Sequence, residues 1–146
     1  MIESMERVLI TGSLGYFGSK LSSYLTEKGY KCIGFDTGFF RDSLLYAQEE
    51  TKTVFMDMRT LNEDDLNEVD VVIHLAGISN DPLSNLDPAS VYDPTRDYSL
   101  KIARFCKKKG IRFIFASSCS VYGVGAEEYL TESTETSPQT GYSLNK

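Results

Sequence analysis

The sequence has 146 residues, 41% of them apolar, 25% charged and 12% aromatic, the proportions of one ordinary globular domain. Fifteen basic against 21 acidic groups leave a formal charge of -6, the wrong sign for neutralising nucleic-acid phosphates or an anionic membrane surface. No apolar run approaches the ~20 residues of a membrane span and no secretory signal is expected; three dispersed cysteines (Cys32, Cys106, Cys119) and one histidine (His74) suggest neither a metal site nor a disulfide framework, so a reducing cytoplasm fits best.

In chain order, the first apolar run, residues 8–11, reads as a strand. It leads into Thr11-Gly12-Ser13-Leu14-Gly15-Tyr16-Phe17-Gly18 and a helix over 16–28. Phe17, Leu21, Tyr24 and Leu25 lie on one stripe of that helix, its expected inward face. Gly29 stops it and a second strand follows over 31–36. Segment 39–51 is irregular. Residues 53–56 form the third strand, and Thr60 to Glu63 has capping-box spacing for a short helix toward Leu66. The fourth strand is 71–75, followed by an irregular stretch over 77–92. Asp93-Pro94 supplies an N-cap and an N1 proline for a helix to about Lys109, with Leu100, Ala103 and Phe105 apolar. Gly110 ends it, and 113–116 is the fifth strand. Lys28-Gly29-Tyr30 and Lys109-Gly110-Ile111 repeat one helix-stop-strand rhythm. The strands are near-continuous apolar runs, the pattern of burial on both faces. The expected fold is α/β, a doubly wound parallel sheet.

Three glycines spaced by three, between a strand and a helix, suit a phosphate. Gly12 permits the tight turn, Gly15 lets backbone approach a pyrophosphate, and Gly18 lets helix pack on strand. The helix N-terminus then offers amide donors. Such triplets occur in many loops, and the context decides: Asp36 closes the second strand 18 residues beyond Gly18. A carboxylate there accepts from both ribose hydroxyls of NAD and repels the 2′-phosphate of NADP. NAD is therefore expected, with Arg41 in the next loop able to soften the preference. Tyr142 and Lys146, four residues apart, share one helix face, where a cation favours phenolate and suits the tyrosine for general-base work. Ser117-Ser118-Cys119-Ser120 follows the fifth strand, at the edge where open α/β sheets bind ligands.

These segments, with His74-Leu75-Ala76-Gly77, Ser117 to Gly123 and Tyr142-Ser143-Leu144-Asn145-Lys146, resemble in order and spacing the extended short-chain dehydrogenase/reductases. Within them the likeness is to the NAD-dependent nucleotide-sugar epimerase/dehydratase branch, over nearly the whole chain. The resemblance implies an NAD(P)-binding Rossmann-like fold. It implies that Gly12, Leu14, Gly15, Tyr16, Phe17 and Gly18 surround the cofactor, with Asp36 on its ribose. Asp57 and Met58 would contact adenine, and Leu75, Ala76 and Gly77 would line phosphates and ribose. Tyr142 would be the catalytic base. Lys146 would bind the nicotinamide ribose and lower the tyrosine pKa, and Ser118 would hydrogen-bond the reacting sugar hydroxyl. His74 is then a structural strand-end residue. The substrate would be a nucleotide sugar and the enzyme a homodimer.

Two departures qualify the resemblance. Thr95 stands where the family often has an asparagine supporting the lysine. Cys119 and Ser120 stand where the 4,6-dehydratases carry an Asp-Glu pair, which argues against dehydration. The family's enzymes are roughly twice this length. Residues 1–146 therefore read as an amino-terminal NAD-binding part, without the later strands and substrate domain, and are expected to be inactive alone. An epimerase is the leading reading; a reductase or dehydrogenase of the same family and a non-catalytic dinucleotide-binding regulator are the alternatives.

Overall fold

The computed structural model describes residues 5–45, 51–79, 87–124 and 129–146. Five strands, β1 (Arg7–Thr11), β2 (Lys31–Asp36), β3 (Lys52–Phe55), β4 (Val71–His74) and β5 (Arg112–Phe115), form one sheet in the order β3-β2-β1-β4-β5. Every pairing is parallel, with Val8 opposite Cys32 on one side and Val71 on the other. The expected strands are all present, within one residue at each end.

The chain divides into two compact units. The first is Met1–Gly77 with Tyr98–Ala116, and the second is Ile78–Asp97 with Ser117–Lys146. In the first, the inner strands β1 and β4 are covered on both faces, which is why they need no polar alternation, whereas the edge strands β3 and β5 are not: Val54, Phe55 and Ile114 are exposed. Leu9, Phe35 and Val72 point to one side, where they join Met58, Leu61, Leu66, Ile102 and Cys106. Val8, Ile10 and Val71 point to the other and meet Leu25 of helix α1 (Tyr16–Glu27). Fully burying each such aliphatic side chain contributes about 1.5–3 kcal/mol.

Helix α1 uses only part of the expected stripe: Leu25 packs on the sheet and Leu21 is half-buried, but the two aromatics are not. Phe17 is 75% exposed and Tyr24 50%, whereas the buried residues are Gly18, Ser19 and Ser22. The cause is closeness: a Cβ on Gly18 would collide with the carbonyl oxygen of Gly12. Only small side chains fit there, and the aromatic Phe17 and Tyr24 are turned outward. Ser22 tolerates burial because its hydroxyl donates to the Gly18 carbonyl at 2.7 Å.

Three further local readings shift. Asn62, not Thr60, caps the short 3-10 helix Glu63–Leu66, in a capping box with Asp65; Thr60 instead donates its hydroxyl to the Asp57 carbonyl. Asp93 is itself helical in α3 (Asp93–Lys109). The same dipeptide six residues earlier caps a separate helix, α2 (Pro88–Val91): the Asp87 carboxylate accepts from Ala89 N–H at 3.1 Å and Ser90 Oγ at 2.7 Å. On α3, Ile102 and Cys106 are fully buried while Leu100 is exposed. Gly29 and Gly110 end α1 and α3 as expected, at φ 89° and 71°. In both cases the N–H of the following residue reaches back over the stop, Tyr30 to Leu25 and Ile111 to Cys106. The second unit holds α2, the start of α3, the 3-10 turn Cys119–Tyr122 and helix α4 (Gly141–Leu144).

Candidate active site

At the carboxyl ends of β1 and β4 the strand order reverses, the position at which open α/β sheets bind ligands. Gly12 leaves β1 there at φ 71°. A Cβ on it would lie 2.8 Å from the Ala76 nitrogen, so the two loops touch through backbone. The Gly12 N–H donates to Phe35 C=O at 2.8 Å, and Gly15 N–H donates to Gly12 C=O at 3.0 Å. Gly15 is the N-cap of α1 and brings no side-chain cap. The N–H groups of the first turn, which no intrahelical carbonyl can satisfy, therefore face an incoming anion. Tyr16 and Phe17 flank them, exposed and edge-to-face at 5.6 Å.

Asp36 is tied into this turn. Its carboxylate accepts from Leu14 N–H at 3.0 Å and from Gly38 N–H at 2.8 Å. Met56 N–H donates to Asp36 C=O at 2.8 Å, which sets Asp57 and Met58 beside the end of β2. Arg59 clasps Asp57 through its side chain at 2.9 and 3.0 Å and holds that carboxyl below the usual value. Met58 has its side chain in the core, and its carbonyl accepts from Leu61 N–H at 3.3 Å. A cradle that Cβ atoms would fill, open helix-end donors and a strand-end carboxylate together fit a dinucleotide.

The Thr11 to Ala76 contact has support that the sequence reading missed. Thr11 Oγ1 accepts from Ala76 N–H at 3.2 Å and meets His74 Nδ1 at 2.6 Å. His74 Nε2 meets Ser99 Oγ at 2.9 Å. The imidazole is 1% exposed and stacks on Phe113 and Phe115, which makes it the structural residue expected. Leu75 N–H continues the ladder to Thr11 C=O. Ser13, with no exposed surface, fills the space that Gly34 leaves in β2. Gly77 is exposed at the end of this loop.

The expected catalytic residues lie in the second unit. Tyr142 occupies the first turn of α4, capped by Thr140, whose hydroxyl accepts from Ser143 N–H at 3.1 Å. Helix α4 ends at Leu144, so Lys146 does not share a helix face with Tyr142 as expected but follows the Asn145 cap; its Nζ stands 5.8 Å from the Tyr142 ring centroid, and Tyr92 meets that ring edge-on at 6.3 Å. Burial pushes the Lys146 ammonium below the ordinary lysine value. Ser117 Oγ donates to Lys146 C=O at 3.1 Å, so the serine run lies against the end of α4. Ser118 caps the turn Cys119–Tyr122 and accepts from Ser120 N–H at 3.2 Å. Thr95 is buried. Near it in sequence, Asp93 receives Asn145 Nδ2 at 3.5 Å, and the same amide group donates to Gly141 C=O at 2.8 Å. Asn145 thus braces the helix from the position beside Lys146, a role visible only once the helix is built. Among the described residues no group of three or more His, Cys, Asp or Glu side chains could hold a metal ion. No described helix is long and apolar enough to cross a membrane.

Solved structures share this fold. The UDP-N-acetylglucosamine 4-epimerase of Methanobrevibacter ruminantium M1 superposes with a TM-score of 0.86 at 28% identity, over 97% of this chain and 47% of its own. TunA, an NAD dependent NDP-hexosamine 5,6-dehydratase of tunicamycin biosynthesis, gives 0.85 at 27% identity, over 97% and 46%. MoeE5, solved with UDP-glucuronic acid and NAD, gives 0.81 at 27% identity, over 95% and 45%. The chain spans a little under half the length of each. The family model described as "NAD dependent epimerase/dehydratase family" matches residues 8–146. Glycine turn, strand-end carboxylate, serine run and the segment from Tyr142 to Lys146 all fall inside that span, and the chain belongs to the NAD-dependent epimerase/dehydratase family, with NAD as its cofactor.

Proposed function

We propose that this chain is the cofactor-binding part of a nucleotide-sugar epimerase that inverts one sugar carbon without net oxidation. The observation that carries the reading is the Tyr142–Lys146 pair, with Nζ 5.8 Å from the ring centroid and the serine run bonded to the Lys146 backbone through Ser117. Cofactor-side roles fall to Gly12, Leu14, Gly15, Tyr16, Phe17 and Gly18 around the phosphates and Asp36 at the ribose. Asp57 and Met58 lie at the adenine, and Leu75, Ala76 and Gly77 along the phosphates and ribose. Bound NAD supplies reversible hydride acceptance.

The residues of this chain supply the rest. Tyr142 takes the proton of the sugar hydroxyl as that carbon is oxidised, and returns it after the sugar has presented its other face. Lys146 holds the nicotinamide ribose and the charge balance of the phenol. Ser118 hydrogen-bonds the oxygen that becomes a carbonyl. The substrate class rests on the neighbours, MoeE5 solved with UDP-glucuronic acid and the Methanobrevibacter ruminantium protein named for UDP-N-acetylglucosamine. The reading includes a cytoplasmic homodimer, for which light scattering is the measurement.

The test is a turnover assay on the intact protein with UDP-glucose, UDP-N-acetylglucosamine and UDP-glucuronic acid. Sugar inversion without accumulation of NADH is expected. Net NADH formation would instead mark a dehydrogenase, and cofactor binding without turnover a regulator.

A further inference from the structure

Ser118 has one hydroxyl proton and two lone pairs. Two groups of Ser120 converge on its oxygen: the N–H at 3.2 Å, and the hydroxyl, with the two oxygens 2.8 Å apart. The backbone holds Ser120 in place. Val121 N–H donates to Ser118 C=O at 3.2 Å, Gly123 N–H to Ser120 C=O at 3.1 Å, and Ser137 N–H pins Val121 C=O at 2.9 Å. Ser118 and Ser120 are both half-buried, while Cys119 between them is exposed. The hydroxyl-to-hydroxyl bond can run either way on geometry alone, because hydroxyls rotate.

The role of Ser118 decides the direction, and the inference rests on that reading. A Ser118 proton directed at the sugar oxygen cannot also go to Ser120. We propose that Ser120 is a positioning residue that donates its hydroxyl proton to Ser118, fills both acceptor positions of Ser118 and leaves it a donor only. A serine so held cannot receive the proton of the sugar hydroxyl, so Tyr142 alone takes it. It meets the oxygen with a proton already oriented, so the hydrogen bond strengthens as that oxygen gains charge, and the benefit falls on the transition state. Ser120 thereby acts on kcat without touching the substrate.

The experiment compares Ser120→Ala, Ser120→Thr, Ser120→Cys, Ser118→Ala and the Ser118→Ala/Ser120→Ala double variant in the intact protein. UDP-glucose or UDP-N-acetylglucosamine is the substrate, and NAD affinity is measured in parallel. Ser120→Ala is expected to lower kcat about 5- to 10-fold, the size of one neutral hydrogen bond, with KM and NAD affinity within about twofold. Threonine keeps the donor and should restore kcat. Cysteine keeps the volume with a weak donor and should track alanine, which serves if the alanine variant folds poorly. The double variant should match Ser118→Ala, since Ser120 acts only through Ser118. Unchanged kcat in Ser120→Ala and Ser120→Cys beside a damaged Ser118→Ala overturns the Ser120 role and leaves the epimerase reading intact. A Ser118→Ala enzyme with full activity overturns the reading beneath it. Losses in Ser120→Ala and Ser118→Ala that simply multiply in the double variant also overturn the proposal.

Discussion

The carboxylate of Asp36 accepts a hydrogen bond from the backbone N–H of Leu14, 3.0 Å away. The residue expected to select the cofactor therefore also fixes the turn that holds it. Its second oxygen serves Gly38 N–H at 2.8 Å. One substitution then has two separable effects. Asp36→Ala should narrow a preference for NAD over NADP, since a hydrogen bond to a charged group contributes about 1.5–3 kcal/mol. It should also lower the melting temperature with no cofactor present, because two N–H groups lose their acceptor. Titrations with both dinucleotides and an apo thermal melt check the two effects. A variant with lost NAD preference and unchanged apo melting would show that the loop bonds contribute nothing.

Gly12 and Gly18 make different demands, and alanine at each should report them. At Gly12 the left-handed backbone alone costs an L-residue about 1–2 kcal/mol, and the new Cβ would press on Ala76 N at 2.8 Å. At Gly18 the backbone is ordinary helix, but the Cβ would run into the Gly12 carbonyl. Gly18→Ala should displace the start of α1 and be the more damaging of the two. NAD titration and thermal melting of both variants test the ranking; equal stability of Gly18→Ala and the parent would contradict the packing.

How much of this was legible in the sequence follows from range. The five strands and the helix stops at Gly29 and Gly110 are local signals, carried by apolar runs and by residues that favour φ above zero. The face of α1 was legible only at Leu25, because periodicity counts large side chains while this helix is buried most deeply at Gly18, Ser19 and Ser22. Spacing points to Thr60 and Asp93 as caps, but Asn62, with spacing as good, caps the turn before Leu66, and Asp87 caps a separate helix, α2, that the sequence pattern does not announce. The glycine turn and Asp36 were readable as a pair; that they are hydrogen-bonded through Leu14 was not, since 22 residues separate donor from acceptor. The His74 chain to Thr11 and Ser99 and the brace from Asn145 to Gly141 likewise need the folded strands and helices to bring their partners together.

The three cysteines should separate cleanly under a thiol reagent. Cys106 has no exposed surface, and burial pushes its thiol above the ordinary value. Burial raises Cys32 as well, partly offset by a hydrogen bond with Thr26. A raised thiol pKa leaves less of the reactive thiolate at pH 7–8. Cys119 is exposed. Iodoacetamide on the native protein, read by peptide mass spectrometry, should label Cys119 first, Cys32 slowly and Cys106 only after denaturation. Rapid native labelling of Cys106 would contradict the packing of α3 on the sheet.

The Tyr142 hydroxyl should matter to turnover far more than to structure. Tyr142→Phe keeps the ring that meets Tyr92 edge-on at 6.3 Å and lies 5.8 Å from Lys146 Nζ. The cap on α4 is unaffected, because Thr140 and Ser143 form it with their own side chains and backbone. The variant should therefore melt and bind NAD much as the parent does. Its turnover of a nucleotide sugar should fall by roughly 10²–10⁴-fold, the usual contribution of a positioned general base. Ser118→Ala should cost less, since it removes one hydrogen bond to the reacting oxygen and leaves the base in place. Initial rates of sugar inversion, with circular dichroism and NAD titration as controls, decide the matter. Near-parental turnover in Tyr142→Phe would mean that another group accepts the proton, and a parallel loss of NAD affinity would move Tyr142 from the chemistry to the binding of the cofactor.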